Sequence, residues 1–186
     1  MPWKNGGGQT IEVVISPATA TLDDFDWRIS MAHFATPGPF SLFPGIDRTL
    51  CVLGAHAVRL AVAGQPELTL DAHSAPFTFP GDVAVNAAPV GGAVDDLNMM
   101  SRRSRYRHRL TRHRMTAASN VPLQGETIIA LPRGSDIVLQ YGGSSVTAPD
   151  GDTVIFERTG AHSVEIAPRH RAEVYLIELW RCNASL

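Results

Sequence analysis

Apolar and polar residues alternate along most of the chain, and the period is two rather than 3.6. In Thr10-Ile11-Glu12-Val13-Val14-Ile15, Ile11, Val13 and Ile15 fall on one face of an extended strand. Residues 27–34 read as a second strand. Residues 49–53 and 57–62 flank Gly54 and predict a hairpin. Strands over 67–70, 77–79 and 83–85 follow, separated by proline and glycine. Beyond Pro122 the pattern resumes over 127–131, 137–141, 145–147, 153–157, 162–166 and 173–180. Helices are expected only as short pieces, for example around 22–26. Many short strands at close spacing predict an all-β sandwich or barrel.

The chain also carries a weak internal repeat. Val52-Leu53-Gly54 leads through two short strands to Phe79-Pro80-Gly81-Asp82-Val83, and Leu131-Pro132-Arg133-Gly134 leads likewise to Pro149-Asp150-Gly151-Asp152-Thr153-Val154. Each Gly-Asp pair supplies a turn residue and a side chain able to bond its own backbone. The expectation is a single domain over 1–186 built as a double-stranded jelly roll. Its first β half spans about 1–95 and its second about 120–186, with arginine-rich strands over 97–119 joining them.

Charge sharpens that division. The net charge of −2 is the balance of −6 over residues 1–96, +7 over 97–119 and −3 over 120–186. Arg103, Arg105, Arg107 and Arg109 alternate with Tyr106, His108 and Leu110, which on a strand puts four guanidiniums on one face. Three readings stay open for this stripe: a solvated face paired with the acidic segments, a carboxylate clamp by Arg102 and Arg103, or a nucleic-acid surface over Arg102–Arg114. Only Tyr106 interleaves the stripe and the protein is acidic overall, which disfavours nucleic acid. The chain has no apolar run of membrane-spanning length and no apolar leader, so neither a membrane span nor a secretory signal is expected. Two cysteines, Cys51 and Cys182, form no C-x-x-C pair and fit a reducing, cytoplasmic setting.

Candidate chemistry is sparse. The seven histidines form neither an H-x-H pair nor an H-E-x-x-H motif, so no metal or other cofactor is expected. There is no G-x-S-x-G elbow. Asp95 and Asp96 are adjacent and would face opposite ways on a strand, so they cannot act as a carboxylate pair. Gly6-Gly7-Gly8 lacks the ending of a phosphate loop. Trp3, Lys4 and Asn5 ahead of it combine an aromatic plate, an ammonium and an amide, a set suited to closing a pocket over a planar anion.

Four stretches resemble the HutD/Ves family of small cupin-like proteins: Met1-Pro2-Trp3-Lys4-Asn5-Gly6-Gly7-Gly8-Gln9-Thr10, Asp26-Trp27-Arg28-Ile29-Ser30, the run from Gly38-Pro39-Phe40 through Phe43-Pro44-Gly45-Ile46-Asp47-Arg48-Thr49-Leu50, and Asp95-Asp96-Leu97-Asn98-Met99-Met100-Ser101-Arg102-Arg103. Family members usually carry a short segment ahead of the first motif, whereas here it opens the chain. The resemblance implies a bicupin-like fold of two cupin-like halves without the usual metal ligands. It further implies a role in bacterial histidine utilisation, binding a small carboxylate such as urocanate or formylglutamate to regulate the pathway, with no established enzymatic activity. A site for such a ligand needs a cationic fork, a plate and an amide. Arg28, Arg48, Arg102 or Arg103 would supply the fork, Trp3 or Trp27 the plate, and Asn5 or Asn98 the amide, with Lys4 nearby. The alternative is a metal-independent isomerase or lyase using His33 or Asp96 as general base. The expected partner is a small anionic metabolite, with a homodimer as a further option.

Overall fold

The computed structural model describes residues 8–182, so Trp3, Lys4 and Asn5 lie outside the described residues. Among those residues every regular element is a strand. The described chain divides into two compact units, residues 8–107 with 182, and residues 108–181.

The first unit contains β1 (Gly8–Ser16), β2 (Trp27–Phe34), β3 (Gly38–Pro39), β4 (Ile46–Val52), β5 (Ala57–Val62), β6 (Leu68–Leu70), β7 (Phe77–Pro80), β8 (Val85–Val90) and β9 (Val94–Arg102). They form two sheets, ordered β1-β2-β9-β4-β7 and β3-β8-β5-β6. Phe34, Leu50, Val52 and Phe79 from the first sheet join Val58, Leu60, Val62, Val85 and Ala87 from the second in one buried core. This is a jelly-roll sandwich, and its connections repeatedly pass from one sheet to the other.

That crossing corrects one sequence expectation. Residues 49–53 and 57–62 are not a hairpin: β4 pairs with β7 and β9, and β5 pairs with β6 and β8. Both segments alternate because both point apolar residues into the same core, from opposite sides. A corner between sheets satisfies that pattern as well as a hairpin does. Residues 22–26 form no helix either. Asp24 Oδ1 accepts from the Thr21 amide at 2.6 Å and from Thr21 Oγ1 at 2.8 Å, and such local side-chain bonds favour a turn over a helix.

The second unit contains β10 (Tyr106–Met115, entering from the first), β11 (Ser119–Pro122), β12 (Thr127–Arg133), β13 (Ile137–Tyr141), β14 (Ser144–Ala148), β15 (Val154–Glu157), β16 (Ser163–Pro168) and β17 (Ala172–Arg181). Its sheets run β10-β17-β12-β15 and β11-β16-β13-β14. Adding eight to each strand number in β2-β9-β4-β7 and β3-β8-β5-β6 reproduces both orders. The faint sequence repeat is therefore a full repeat of topology, with β1 as the extra strand. Ile128, Ala130, Val174 and Leu176 face Ile137, Leu139, Val164 and Ile166 across its core. Residues 97–119, expected as a joining segment, instead supply β9, an inner strand of the first unit, and β10, an edge strand of the second. Arg103 and Arg105 fall in the turn between them and lie on no strand face.

A buried polar cluster as candidate functional site

Register builds the site. β9 lies between β2 and β4. Arg28 and Arg48 both stand opposite Met100, Ser30 and Leu50 opposite Asn98, and Ala32 and Val52 opposite Asp96. Their shared face is the one whose Phe34, Leu50 and Val52 enter the core. Arg28, Ser30, Arg48, Asp96 and Asn98 thus project into the interior of the sandwich, and all are buried.

Asn98 links the two charges beside it. Arg48 Nη2 donates to Asn98 Oδ1 at 3.0 Å, and Asn98 Nδ2 donates to Asp96 Oδ1 at 2.6 Å. Only this orientation of the amide gives each charged group a complementary partner. Arg28 Nε donates to Glu12 Oε2 at 2.7 Å, and its Nη1 to Ser30 Oγ at 3.1 Å. The Arg48 guanidinium carbon lies 4.8 Å from the Phe40 ring centroid, 5.2 Å from Phe79 and 5.8 Å from Phe43. Such ring faces attract a cation without removing its hydrogen-bonding capacity.

The polar accounting does not close. Arg48 Nε and Asp96 Oδ2 are buried without a hydrogen-bond partner among the described residues. Each such group carries a desolvation penalty of about 1–3 kcal/mol or more. Burial pushes the Asp96 carboxyl up to about 7, although Arg48 and Asn98 both favour its ionised form. Burial also pulls the Arg48 guanidinium down to about 10; Asp96 opposes that shift and the like charge of Arg28 adds to it. Arg28 is thus neutralised by Glu12, whereas Arg48 reaches a carboxyl only through Asn98, and that carboxyl is one whose burial favours its neutral form.

The sequence candidates separate clearly. Arg28, Arg48 and Asn98 come together, and Asp96 joins them. Trp27 is buried on the opposite face of β2, one residue from Arg28, so it does not wall this cluster. Arg102 Nε donates to the Phe25 carbonyl at 3.0 Å and its Nη2 to the Asp23 carbonyl at 3.2 Å. Arg103 bonds Asp47 and Asp82 at the surface. Arg105 pairs with Asp26, Arg109 with Glu178 and Arg114 with Glu173. His33 Nδ1 lies 2.9 Å from Asp95 Oδ1 on an exposed face. The sequence reading missed Phe40, Phe43 and Phe79 as the aromatic surround, along with Glu12 and Ser30. Phe40 and Phe43 were on view in the Gly38–Leu50 motif, but their approach to Arg48 depends on a loop that has no periodic signature.

The second unit supplies a contrast at matching places. Arg48 stands opposite Met100 and Phe79; Ile128 stands opposite Glu178 and Phe156. Aligned on the β4–β7 and β12–β15 ladders and on the core-facing residues, Ile128 takes the place of Arg48, and Leu176 and Val174 those of Asn98 and Asp96. All three are apolar and belong to the second core. Its one deep carboxylate there, Glu178, is fully engaged. Oε1 accepts from the amides of Gln124 at 2.6 Å and Gly125 at 2.9 Å, and Oε2 accepts from Arg109 Nε at 2.8 Å.

Elsewhere, an open depression of about 300 Å³ on the outward face of β5 and β8 holds the exposed Arg59–Glu67 pair and no buried charge. Among the described residues no group of three or more His, Cys, Asp or Glu side chains could hold a metal ion. No helix among them is long and apolar enough to cross a membrane.

Two jelly-roll units in series, with a polar interior in the first, define a cupin-like barrel protein. The chain belongs to the HutD family, whose model matches residues 1–174, a family associated with histidine-utilisation genes. It is 36% identical over 146 residues to an uncharacterised 21.2 kDa protein in the hutC 3′ region of Pseudomonas putida, covering 78% of this chain and 75% of that one. It is 42% identical over 104 residues to protein Ves of Citrobacter koseri, a match that spans 55% of this chain and 53% of that relative. Among solved structures, a conserved protein of unknown function from Pseudomonas aeruginosa PAO1 is similar with a TM-score of 0.88 at 28% identity, over 97% of this chain and 93% of that one. HutD from Pseudomonas fluorescens SBW25 is similar with a TM-score of 0.78 at 28% identity, over 98% and 94%. A cupin 2 conserved barrel domain protein from Leptotrichia buccalis, at 7% identity and a TM-score of 0.55 over 96% of this chain and 91% of that one, shares the fold alone.

Proposed function

We propose that the first unit binds a small carboxylate in the interior of its sandwich and that the protein acts as a ligand-responsive regulator of histidine catabolism, with urocanate or formylglutamate as the ligand. One observation carries this reading. Among the described residues Arg48 Nε and Asp96 Oδ2 are buried without a hydrogen-bond partner, while the corresponding positions of the second unit are filled by buried apolar residues. A carboxylate accepts from Arg48, and a donor on the ligand, such as an N–H, reaches Asp96. Arg28 adds positive charge on the far side of Met100. Trp3, Lys4 and Asn5 belong to the same proposed site by the family resemblance alone. Two free cysteines, one of them buried, fit a cytoplasmic location. Four of the seven arginines in 97–119 meet carboxylates, which argues against a nucleic-acid surface.

Calorimetry with urocanate and formylglutamate tests the proposal. Wild type should bind one of them below millimolar. Arg48→Ala should weaken binding by roughly 1.5–3 kcal/mol, the scale of a hydrogen bond to a charged group. Arg59→Ala, at an exposed pair on the outer face, should leave it unchanged. Equal losses from both variants, or no binding by wild type, would sink the assignment. A second reading has one observation in its favour: a carboxyl near 7 inside a closed site suits a general base. Loss of urocanate absorbance on incubation with the protein would select a metal-independent lyase or isomerase; stable absorbance with measurable heat selects binding.

A further inference from the structure

We propose that residues 40–45 form a lid over Arg48 and that Arg103, at a distance from the buried cluster, is the positioning residue that latches it. The proposal rests on the reading that an anion reaches Arg48.

The lid is defined by what touches the guanidinium. Phe40 and Phe43 present their rings to it, and the Ser41 carbonyl accepts from Arg48 Nη1 at 3.4 Å. Residues 41–45 belong to no strand, and Leu42 at their centre is 58% exposed. With the loop in place Arg48 itself is only 6% exposed. The other groups around Arg48, Phe79 and Asn98, are carried on β7 and β9 and cannot swing aside without breaking sheet pairing. Among the described residues the loop is therefore the wall that can move.

Backbone bonds anchor the loop at both ends, and one side chain ties its two margins together. Phe40 N donates to the Val85 carbonyl at 2.9 Å, Phe43 N to the Gly81 carbonyl at 2.8 Å and Gly81 N to the Ile46 carbonyl at 2.7 Å. Arg103 then joins both margins. Its backbone N donates to the Gly45 carbonyl at 2.9 Å. Its Nε donates to Asp47 Oδ1 at 2.9 Å, and Nη1 and Nη2 donate to the two oxygens of Asp82 at 3.3 and 3.2 Å. Asp82 Oδ2 also accepts from Gly45 N at 3.4 Å. One planar fork thus holds the chain just after the lid to the turn beneath Phe43. The bridge is half exposed, so salt screens it. A lysine cannot reproduce its geometry, because an ammonium is a point charge without a fork.

Hydrogen exchange without any ligand tests the latch directly. In Arg103→Lys and in Asp82→Asn, the amides of residues 40–47 and 80–83 should exchange roughly five- to tenfold faster, with β2, β9 and the rest of β4 from residue 48 on unchanged. Added salt should move wild type in the same direction and the variants much less. With urocanate as the probe in stopped flow, association and dissociation rates should rise together while Kd stays within about twofold, the signature of a gate that stabilises neither state of the site. Unchanged exchange of the lid in both variants overturns the latch. Faster exchange with unchanged association rates overturns the lid. Faster exchange with no urocanate binding by any form leaves the latch standing and overturns the binding reading instead.

Discussion

Replacing Asp96 with asparagine should change how stability depends on pH, and both sign and size follow from its burial. The residue is 1% exposed, and burial raises its carboxyl from the model-compound 3.8 to about 7. Between those values the folded state holds a proton that the unfolded chain releases, so wild-type stability must fall as pH rises through this window and level off above it. Converted at about 1.4 kcal/mol per pH unit, such a rise is worth a few kcal/mol, roughly two-thirds of it between pH 5 and pH 8. Asp96→Asn keeps the shape and the acceptor for Asn98 Nδ2, and places an N–H₂ group where the protonated acid would hold its O–H. It therefore mimics the neutral form at every pH. Urea unfolding of both proteins from pH 5 to pH 8 should give stability differences that widen in favour of the variant by about 3 kcal/mol, since all other titrations cancel in the difference. Parallel curves would refute the reasoning and place Asp96 in contact with water or a fixed cation.

Two further outcomes follow. The triple replacement Arg48→Ile, Asp96→Val, Asn98→Leu installs the second unit's side chains in the first; it should fold with stability unchanged or raised by roughly 1–4 kcal/mol in thermal melts, as buried charges replaced by well-packed apolar groups commonly do, and should bind no urocanate. Gly81→Ala would put a Cβ 2.9 Å from the Ile46 carbonyl oxygen and 3.0 Å from that of Phe43, so it should lower stability by roughly 1–3 kcal/mol and displace the lid, read as faster exchange of residues 40–47.

The strands were legible as short apolar or alternating runs broken by glycine and proline, with clean alternation in strands such as β5 and β13 and near-continuous burial in β4, β9, β12 and β17. What the sequence left ambiguous is which face is which. On β2, Arg28, Ser30, Ala32 and Phe34 share one face and Trp27, Ile29 and Met31 the other, and residues from both sets are buried. β9 likewise buries Leu97 and Met99 on one face and Asp96, Asn98 and Met100 on the other. Two-sided burial removes the polar-out signal that would identify the core side. Pairing between distant strands was hidden for a related reason: the hairpin expected at Gly54 is local, whereas β4 and β5 find their partners well away in sequence. The arginine stripe misled because its alternation continues through the turn at residues 103–105, where side chains answer to Asp47, Asp82 and Asp26 rather than to a pleat.

The site was legible in a different way. Arg48 occupies the apolar register of β4, whose inward residues are otherwise Ile46, Leu50 and Val52, and Asn98 interrupts β9 in the same manner. A charge in a core register is either engaged by the protein or awaiting something else, and sequence alone does not separate these cases. The duplicated frame does. Glu178, in the second unit, has its acceptors met by two backbone amides and an arginine; it holds the turn at Gln124 and Gly125 and needs no ligand. Among the described residues, Asp96 and Arg48 meet each other only through Asn98 and keep one buried polar atom each without a hydrogen-bond partner. The same strand ladders accept isoleucine, valine and leucine at those three places in the other half. A jelly-roll ladder can therefore be filled at those places by apolar side chains alone, and on the function proposed above the polar atoms of the first unit are the ones a small carboxylate bearing a hydrogen-bond donor would meet.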